Sequence, residues 1–190
     1  MYIGNVFNYK VNFPLDNEIV IIIGENGSYK TKTIECLNDF LLKNNEDVFF
    51  IDEYRSRNYD FSNLEKMNER IKNISMYLVL NGEYKKYNHL IERIEYAIEK
   101  IKKGSCLSDG EFELVRIFSC LNTEKDIKNL TIILDQPEIH LHLSIKKHLI
   151  EFLNEFGFKR IVAVTHCPSI IGGLFKHIVS IKDIIDYKNN

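Results

Sequence analysis

A short glycine-containing loop between a strand-like and a helix-like segment constrains this chain most. Residues 21–31 read IIIGENGSYKT, and the β-branched run that contains their start extends over residues 18–23. A continuous run of this kind is typical of a strand buried on both faces. From Thr31 onward, apolar residues recur at helical spacing. The order strand, loop, helix predicts an anion-binding loop, because free backbone N–H groups and the helix dipole favour a phosphate there.

Two side chains directly after the loop supply further groups that nucleotide phosphates need. Lys30 would reach the β- and γ-phosphates, and the hydroxyl of Thr31 would hold Mg²⁺. The alternative is a glycine-rich turn that only caps a helix. The predicted nucleotide-binding residues are Gly24, Glu25, Asn26, Gly27, Ser28, Tyr29, Lys30 and Thr31.

One position of the loop departs from the usual pattern. Tyr29 stands where the pattern has a glycine before the lysine. If this position needs a left-handed backbone, a residue other than glycine costs about 1–2 kcal/mol. The ring of Tyr29 must also point away from the phosphates.

The rest of the chain alternates between strand-like and helix-like segments. Strands are predicted at residues 18–23, 47–52, 129–135, 160–166 and 177–181, and helices at 31–44, 60–103, 111–121 and 145–156. This alternation predicts an α/β fold with a mostly parallel sheet flanked by helices on both faces. Residues 1–14 carry alternating apolar residues, which predicts an N-terminal antiparallel edge. We expect one domain over residues 1–190, with a helical insert at about 60–106.

An acidic residue follows the third predicted strand. Asp135 ends the run NLTIILD, and the carboxyl end of a buried strand is where a Mg²⁺-binding aspartate of a phosphate-loop enzyme lies. The next position usually carries a glutamate that orients and deprotonates the attacking water. Gln136 stands there instead. An amide positions water but has no basic carboxylate to accept a proton. The alternative for Asp135 is a helix cap at a strand end.

Two further segments are weak by themselves. LSDGE at residues 107–111 precedes a predicted helix, and Ser108 there is typical of an N-cap. VTHCPS at residues 164–169 ends a predicted strand at His166. A lone histidine in that place is more often structural than catalytic. Both segments gain weight only from their order and spacing relative to Lys30 and Asp135.

Taken in order, four segments resemble the motifs of ABC-type ATPases, which are P-loop NTPases. GENGSYKT, LSDGE, ILDQPEIHLH and THCPS are similar to the Walker A, signature, Walker B and switch-histidine motifs. The resemblance covers about residues 18–180. The PEIHLH ending and the short signature resemble the OLD/RecF/SMC-like branch more than transporter domains, which typically continue LSGGQ and DEPTSALD.

The resemblance implies an ATP-driven mechanism in a homodimer. Two such domains are expected to dock head to tail and to bury two ATP molecules with Mg²⁺. His166 would sense the γ-phosphate, Gln136 would occupy the catalytic position, and Thr31 with Asp135 would organise the metal. Asp52 and Glu53 lie at the end of the predicted strand at residues 47–52 and are further candidates for the metal shell. The signature residues that would contact the nucleotide of the other chain are Leu107, Ser108, Asp109, Gly110 and Glu111.

Two departures from the family pattern bear on activity. Asp109 replaces the central signature glycine and brings a negative charge near a phosphate. Gln136 is consistent with a naturally slow or inactive ATPase, and equally with an introduced Glu→Gln change of the kind that traps ATP-bound dimers. The otherwise intact Walker B motif slightly favours the second interpretation.

Composition limits the setting of this domain. The formal net charge is −2 and 45% of the residues are hydrophobic, so nothing drives the whole chain toward nucleic acid or membrane. The first residues carry no signal-peptide pattern and no apolar run is long enough for a membrane span, so we expect a cytoplasmic location. Cys36, Cys106, Cys120 and Cys167 lack metal-site spacing and are predicted to be free thiols.

The family resemblance leaves three functions open. The first is an ATP-driven switch that controls a separate effector, either in nucleic-acid processing or in an antiphage (antiviral defence) or toxin-type system. The second is the ATPase subunit of a membrane transporter, and the third is a non-catalytic nucleotide-binding module. The segments KYNH at residues 86–89 and YRSRNY at 54–59 mix basic and aromatic residues. They predict either a nucleic-acid or partner surface or, more simply, a solvated face.

Overall fold

Two β-sheets organise the chain. The computed structural model describes residues 1–52, 64–171 and 174–186. Within these residues the strands are β1 (Tyr2–Val6), β2 (Tyr9–Asn12), β3 (Ile19–Ile23), β4 (Asp47–Ile51), β5 (Leu130–Asp135), β6 (Arg160–Val164), β7 (Ile178–Ser180) and β8 (Ile185–Asp186). The α-helices are α1 (Lys30–Lys43), α2 (Leu64–Leu80), α3 (Tyr84–Lys102), α4 (Asp109–Phe118), α5 (Leu143–Lys146), α6 (Leu149–Asn154), α7 (Pro168–Ile171) and α8 (Ile181–Ile184).

The larger sheet is parallel and contains five strands in the order β4-β5-β6-β3-β7. Its central strands are buried along their whole length, which explains their continuous β-branched and aliphatic sequences. The α/β class with a mostly parallel sheet flanked by helices, as predicted from the sequence, is confirmed. The predicted strand at 177–181 is β7, which pairs with β3.

The N-terminal strands form a second, antiparallel sheet. β2 pairs with β1 on one side and with β8 on the other. The sequence predicts the β1–β2 hairpin but not β8, because a strand of two residues leaves no periodic pattern. The antiparallel sheet packs on α1 through a core that also includes one face of the parallel sheet.

The helical insert packs on the other face of the parallel sheet. α2 and α3 form a hairpin around a turn at residues 81–83, and α3 lies against α4. The apolar face predicted for α3 is buried, with Leu90, Ile94 and Ile98 at most 1% exposed. The segment predicted as one helix at 145–156 is divided into α5 and α6, with the break at Lys147 and His148.

Two further expectations, on membrane spans and on the cysteines, concern the described residues only. None of their helices combines the length and apolar character needed to cross a bilayer. All four cysteines are free thiols, as predicted. His140 and His142 do not belong to any cluster of three metal-ligating side chains within the part of the chain that the structure describes. Glu53 and the basic segment at 54–59 lie outside the described residues.

Candidate functional site

Strand register brings the predicted site residues to one edge of the parallel sheet. Ile22 of β3 and Asp135 of β5 both pair with Val164 of β6. The carboxyl ends of these three strands therefore lie side by side. The loop after β3, the residues after Asp135 and the segment that contains His166 all leave the sheet at this edge, where ligands of open α/β sheets bind.

The loop at residues 24–29 folds around the ammonium group of Lys30. Lys30 Nζ donates to the carbonyl oxygens of Gly24 at 3.0 Å and Glu25 at 2.6 Å, and to Ser28 Oγ at 3.2 Å. Gly27 has φ 75°, a left-handed conformation that glycine adopts without steric cost. Burial lowers the pKa of Lys30, while the nearby carboxylate of Asp135 acts in the opposite direction. The loop thus surrounds the buried amino group of Lys30 with three hydrogen-bond acceptors.

Thr31 and Asp135 meet directly, although they are far apart in sequence. Thr31 Oγ1 donates to Asp135 Oδ2 at 2.8 Å, and the side chain of Asp135 is fully buried. A hydroxyl and a carboxylate are the oxygen ligands that Mg²⁺ uses beside substrate phosphates. Their adjacency at the mouth of the loop fits the predicted metal site.

Tyr29 has a left-handed backbone, the conformation that the sequence pattern left open for this position. Its φ is 65° and its ψ is 20°, directly before the first residue of α1. Its ring lies 5.3 Å from the ring of Phe7 and 6.1 Å from that of Tyr9, measured between centroids. The β1–β2 hairpin therefore holds this ring in contact with the antiparallel sheet, and aromatic pairs of this geometry offset about 0.5–1.5 kcal/mol of the backbone cost.

A cleft of about 410 Å³ opens beside the loop and contains both predicted catalytic residues. Gln136 and His166 line it together with the loop residues Asn26, Gly27, Ser28 and Tyr29 and with Lys30 and Thr31. Gln136 has φ 48°, and its backbone N–H donates to the carbonyl of Val164 at 2.9 Å. His166 is exposed at the rim. The Walker A, Walker B and switch-histidine segments are thus brought together.

Glu138 is a site residue that sequence reasoning missed. Its side chain is 6% exposed, and its Oε1 accepts from Thr165 Oγ1 at 2.6 Å and from the backbone N–H of His166 at 3.4 Å. Its other carboxylate oxygen, Oε2, is buried and lacks a hydrogen-bond partner among the described residues. These hydrogen bonds hold the segment after Asp135 against Thr165 and His166. The only sequence signal was a glutamate after the proline of QPE.

The signature residues lie apart from this cleft. Ser108 is the N-cap of α4: its Oγ accepts from the backbone N–H of Glu111 at 3.4 Å, and Glu111 Oε2 accepts from the backbone N–H of Ser108 at 2.8 Å. This reciprocal pair of hydrogen bonds is a capping box, so the predicted N-cap at Ser108 is confirmed. Asp109 lies in the first helical turn, where the helix dipole favours its charge. Leu107 packs against the larger core.

A second cavity, of about 300 Å³, borders the signature. Ser108, Gly110 and Glu111 line it opposite His140 and His142, with Arg93 of α3 at its side. A Cβ on Gly110 would come within 2.9 Å of the carbonyl oxygen of His140, so only glycine fits this approach. The signature therefore faces a different cavity from Lys30 and Thr31.

Asp52 follows β4, the strand next to β5. Its backbone carbonyl accepts from Arg116 Nη1 at 3.1 Å. Arg116 is itself fully buried and donates through Nη2 to Glu113 Oε1 at 2.5 Å. This contact fixes the end of β4 to α4. A role for Asp52 in the metal shell stays a prediction.

Solved structures that are similar to this chain include an ATP-binding cassette. No protein-family model matches the chain, and no curated protein matches it. One similar solved structure is an ATP-binding cassette of an ABC transporter in its ADP conformation: it is 19% identical, the match covers 90% of this chain and 78% of that chain, and the TM-score is 0.47.

Two further similar structures have comparable values. An archaeal ribosome recycling factor, solved with the archaeal ribosomal stalk protein, is 20% identical over 83% of this chain and 30% of that chain, with a TM-score of 0.44. A part of the ABC transporter complex cbiONQ from Clostridium perfringens is 19% identical over 79% of this chain and 67% of that chain, with a TM-score of 0.40. These TM-scores are all below 0.5, so the likeness identifies neither a family nor a function for this chain. The OLD/RecF/SMC-like branch stays a prediction.

Proposed function

We propose that this chain is an ABC-type ATP-binding switch that pairs head to tail with a second copy and controls a separate effector. One observation carries the proposal: the hydroxyl of Thr31 and the carboxylate of Asp135 meet at 2.8 Å beside the loop that surrounds Lys30. Phosphate-loop chemistry needs these three groups together, and 104 residues separate the two members of the hydrogen-bonded pair.

Each group has a defined task when Mg-ATP is present. The ammonium of Lys30 exchanges its contacts with the carbonyls of Gly24 and Glu25 for phosphate oxygens. Bound Mg²⁺ neutralises charge on the phosphates. Thr31 and Asp135 are the residues that would hold the ion. His166 lines the same cleft, and we expect it to contact the terminal phosphate.

The separation of the two cavities supports a two-chain site. The loop residues line one cleft, whereas Ser108 and Gly110 line another. A signature that contacts nucleotide must then do so in a second copy, which makes closure dependent on the γ-phosphate. The output of such a switch is a partner: an effector protein, of nuclease or toxin type, or nucleic acid. An ATPase subunit of a membrane transporter is the alternative assembly.

Gln136 decides whether the switch turns over. Gln136 lines the cleft, and the family resemblance expects the catalytic carboxylate at this position. Its amide orients water without accepting a proton, and a general base contributes about 10²–10⁴-fold to such a step. We therefore expect this chain to bind Mg-ATP and to hydrolyse it very slowly. A non-catalytic nucleotide-binding module is the second candidate, which Gln136 itself favours.

Mg-ATP hydrolysis by the chain and by Gln136→Glu, measured side by side, tests the proposal. We expect the glutamate version to turn over at least about 100-fold faster. Lys30→Ala in the same background is the control and should lose both binding and turnover. If both versions bind ATP and neither hydrolyses it, the non-catalytic module replaces the switch. If neither version binds Mg-ATP, the nucleotide site itself is wrong.

Complementation between variants tests the head-to-tail arrangement. In the Gln136→Glu background, Lys30→Ala and Ser108→Arg should each abolish turnover. An equimolar mixture should recover part of it, because each mixed pair contains one intact loop facing one intact signature. Failure of the mixture to recover activity, with both variants folded and dimeric, would contradict a signature that acts in trans.

A further inference from the structure

A second basic surface lies outside the nucleotide cleft. A groove of about 350 Å³ runs between the first half of α3 and the junction of α5 with α6. We call it the α3–α5 groove and define it by five basic side chains. These are Lys85, Lys86, His89, Lys147 and His148. Two of them belong to the KYNH segment at residues 86–89, and two lie at the break between α5 and α6.

Helix geometry arranges three basic side chains of α3 in a row. Lys85, His89 and Arg93 follow one another at intervals of four residues, so they lie on one face about 6 Å apart. All three side chains are exposed. Arg93 borders the signature cavity, so the row leads from the α3–α5 groove toward Ser108. A single nucleic-acid strand rises 3.4 Å per nucleotide when stacked, so successive side chains of the row lie near about every second phosphate.

Two lysines of the groove add charge to this surface: Lys85 on α3 and Lys147 on the opposite wall. Within the described residues, neither Lys85 nor Lys147 has an ion-pair partner. Lys86 donates to Glu151 at 2.9 Å, and His148 lies 3.5 Å from the same carboxylate. Glu92 is an exposed acid beside the row on α3. Lys85, Lys147 and Arg93 therefore carry most of the attraction, in a chain whose formal net charge is −2.

One exposed aromatic ring extends the row. Tyr96 lies three residues after Arg93 on the same face of α3 and is 53% exposed. Tyr87, the aromatic residue of KYNH, is by contrast 1% exposed and packs on Phe152, with its hydroxyl bonded to Glu155 at 3.2 Å. The ring of Tyr87 therefore supports the groove from below and does not stack on a ligand. Of the two rings, Tyr96 is the exposed one, with Lys100 Nζ 5.1 Å from its ring centroid.

We propose that the α3–α5 groove binds the backbone of single-stranded nucleic acid, which runs along Lys85, His89 and Arg93 toward the signature and stacks a base on Tyr96. A row of basic side chains that leads from a concave groove to an exposed aromatic ring is the combination that single-strand binding uses. A duplex would use the cations but not the ring. An acidic peptide would use the cations without the regular spacing.

Binding to a fluorescein-labelled 20-nucleotide oligo(dT), followed by anisotropy at 50 mM salt without nucleotide, tests this site. Lys85→Gln/Lys147→Gln should weaken binding about ten-fold and reduce the slope of log K against log salt by about 1.4. Lys10→Gln/Lys128→Gln is the matched control: it removes the same charge from exposed positions on β2 and near β5, and should leave affinity within about two-fold. Tyr96→Ala should weaken binding of the single strand at least about five-fold and leave binding of a duplex unchanged.

Three results would overturn the proposal. One is no binding to oligo(dT) at micromolar protein concentrations. Another is an equal loss in the groove variant and its control, which would indicate attraction by total charge alone. The third is equal or better binding of a 20-base-pair duplex or of a poly-glutamate peptide of matched charge. Because the assay contains no nucleotide and uses no residue of the nucleotide cleft, its outcome is independent of the function proposed above.

Discussion

The ring of Tyr29 lies against the ring of Phe7 with centroids 5.3 Å apart, although the backbone of Tyr29 is left-handed with φ 65°. Two opposing contributions to the free energy of folding act at Tyr29. The left-handed conformation costs a non-glycine residue about 1–2 kcal/mol. The aromatic contacts with Phe7 and Tyr9 contribute about 0.5–1.5 kcal/mol beyond simple burial. The similar magnitudes explain how a tyrosine is tolerated directly before Lys30 in this loop.

This balance predicts different effects for two substitutions of Tyr29. Tyr29→Gly removes the strain and the ring together, so the free energy of unfolding should change by less than about 1 kcal/mol. Tyr29→Ala keeps the strain and removes the ring, so it should destabilise by about 1–2 kcal/mol. Urea unfolding at constant pH measures both. A double-mutant cycle with Phe7→Ala should give a coupling of about 0.5–1.5 kcal/mol. A coupling near zero would mean that the ring contact does not offset the strain.

The loop and the residues after β5 were predictable because their signals are local. A buried strand, two glycines, Lys-Thr and a helix occupy one short stretch at residues 18–44. The meeting of Thr31 with Asp135 then follows from parallel strands whose carboxyl ends share an edge. Register data confirm this alignment, since Ile22 and Asp135 both pair with Val164.

Non-local contacts were not predictable in the same way. The contact of Glu138 with Thr165 joins residues 27 positions apart and depends on how two loops leave adjacent strands. The partner of the Tyr29 ring comes from the β1–β2 hairpin, which carries no nucleotide-site signal. The α3–α5 groove depends on the break at Lys147 and His148, where periodicity predicts a continuous helix.

Removing the carboxylate of Asp135 should separate metal binding from nucleotide binding. Asp135→Asn keeps the shape and leaves Thr31 a hydrogen-bond acceptor, but it loses the charged oxygen that Mg²⁺ prefers. We expect affinity for Mg-ATP to fall at least about ten-fold, because proteins hold this ion through one or two carboxylates beside the phosphates. Affinity for ATP in excess chelator should change little. Calorimetric titrations with Mg²⁺ and with chelator give the two values.

Lys30→Ala is the matched comparison for the aspartate variant. It removes a cation that contacts the loop carbonyls directly, so it should weaken ATP binding with and without Mg²⁺. If Asp135→Asn weakened both forms equally, the carboxylate would act through loop structure and not through the metal.

The buried carboxylate of Glu138 should contribute both stability and positioning. Glu138→Ala leaves the hydroxyl of Thr165 without its acceptor at 2.6 Å, so the free energy of unfolding should fall by about 1–3 kcal/mol. In the Gln136→Glu background, the same change should lower kcat more than it raises KM, because His166 loses its fixed backbone contact. Glu138→Gln keeps an oxygen acceptor and should recover most of the stability. Loss of stability with an unchanged kcat would leave Glu138 a structural residue only.

Acid should weaken the signature helix cap through Glu111. Burial of this carboxyl acts to raise its pKa, but hydrogen bonds from Lys100 and from Ser108 outweigh burial and lower the pKa below the ordinary value of 4.5. A carboxyl with a depressed folded-state pKa contributes stability above its unfolded pKa, and this contribution is lost as the pH falls through the folded pKa. The stability difference between the chain and Glu111→Gln should therefore be about 1–2 kcal/mol at neutral pH and should shrink below pH about 4.5. Urea unfolding at neutral pH and in acid measures this stability difference.

The control variant is Glu99→Gln. It removes an exposed carboxylate 3.7 Å from Lys103 and should cost less than about 0.5 kcal/mol at either pH. A Glu111→Gln difference that stays constant as the pH falls would contradict a charged cap.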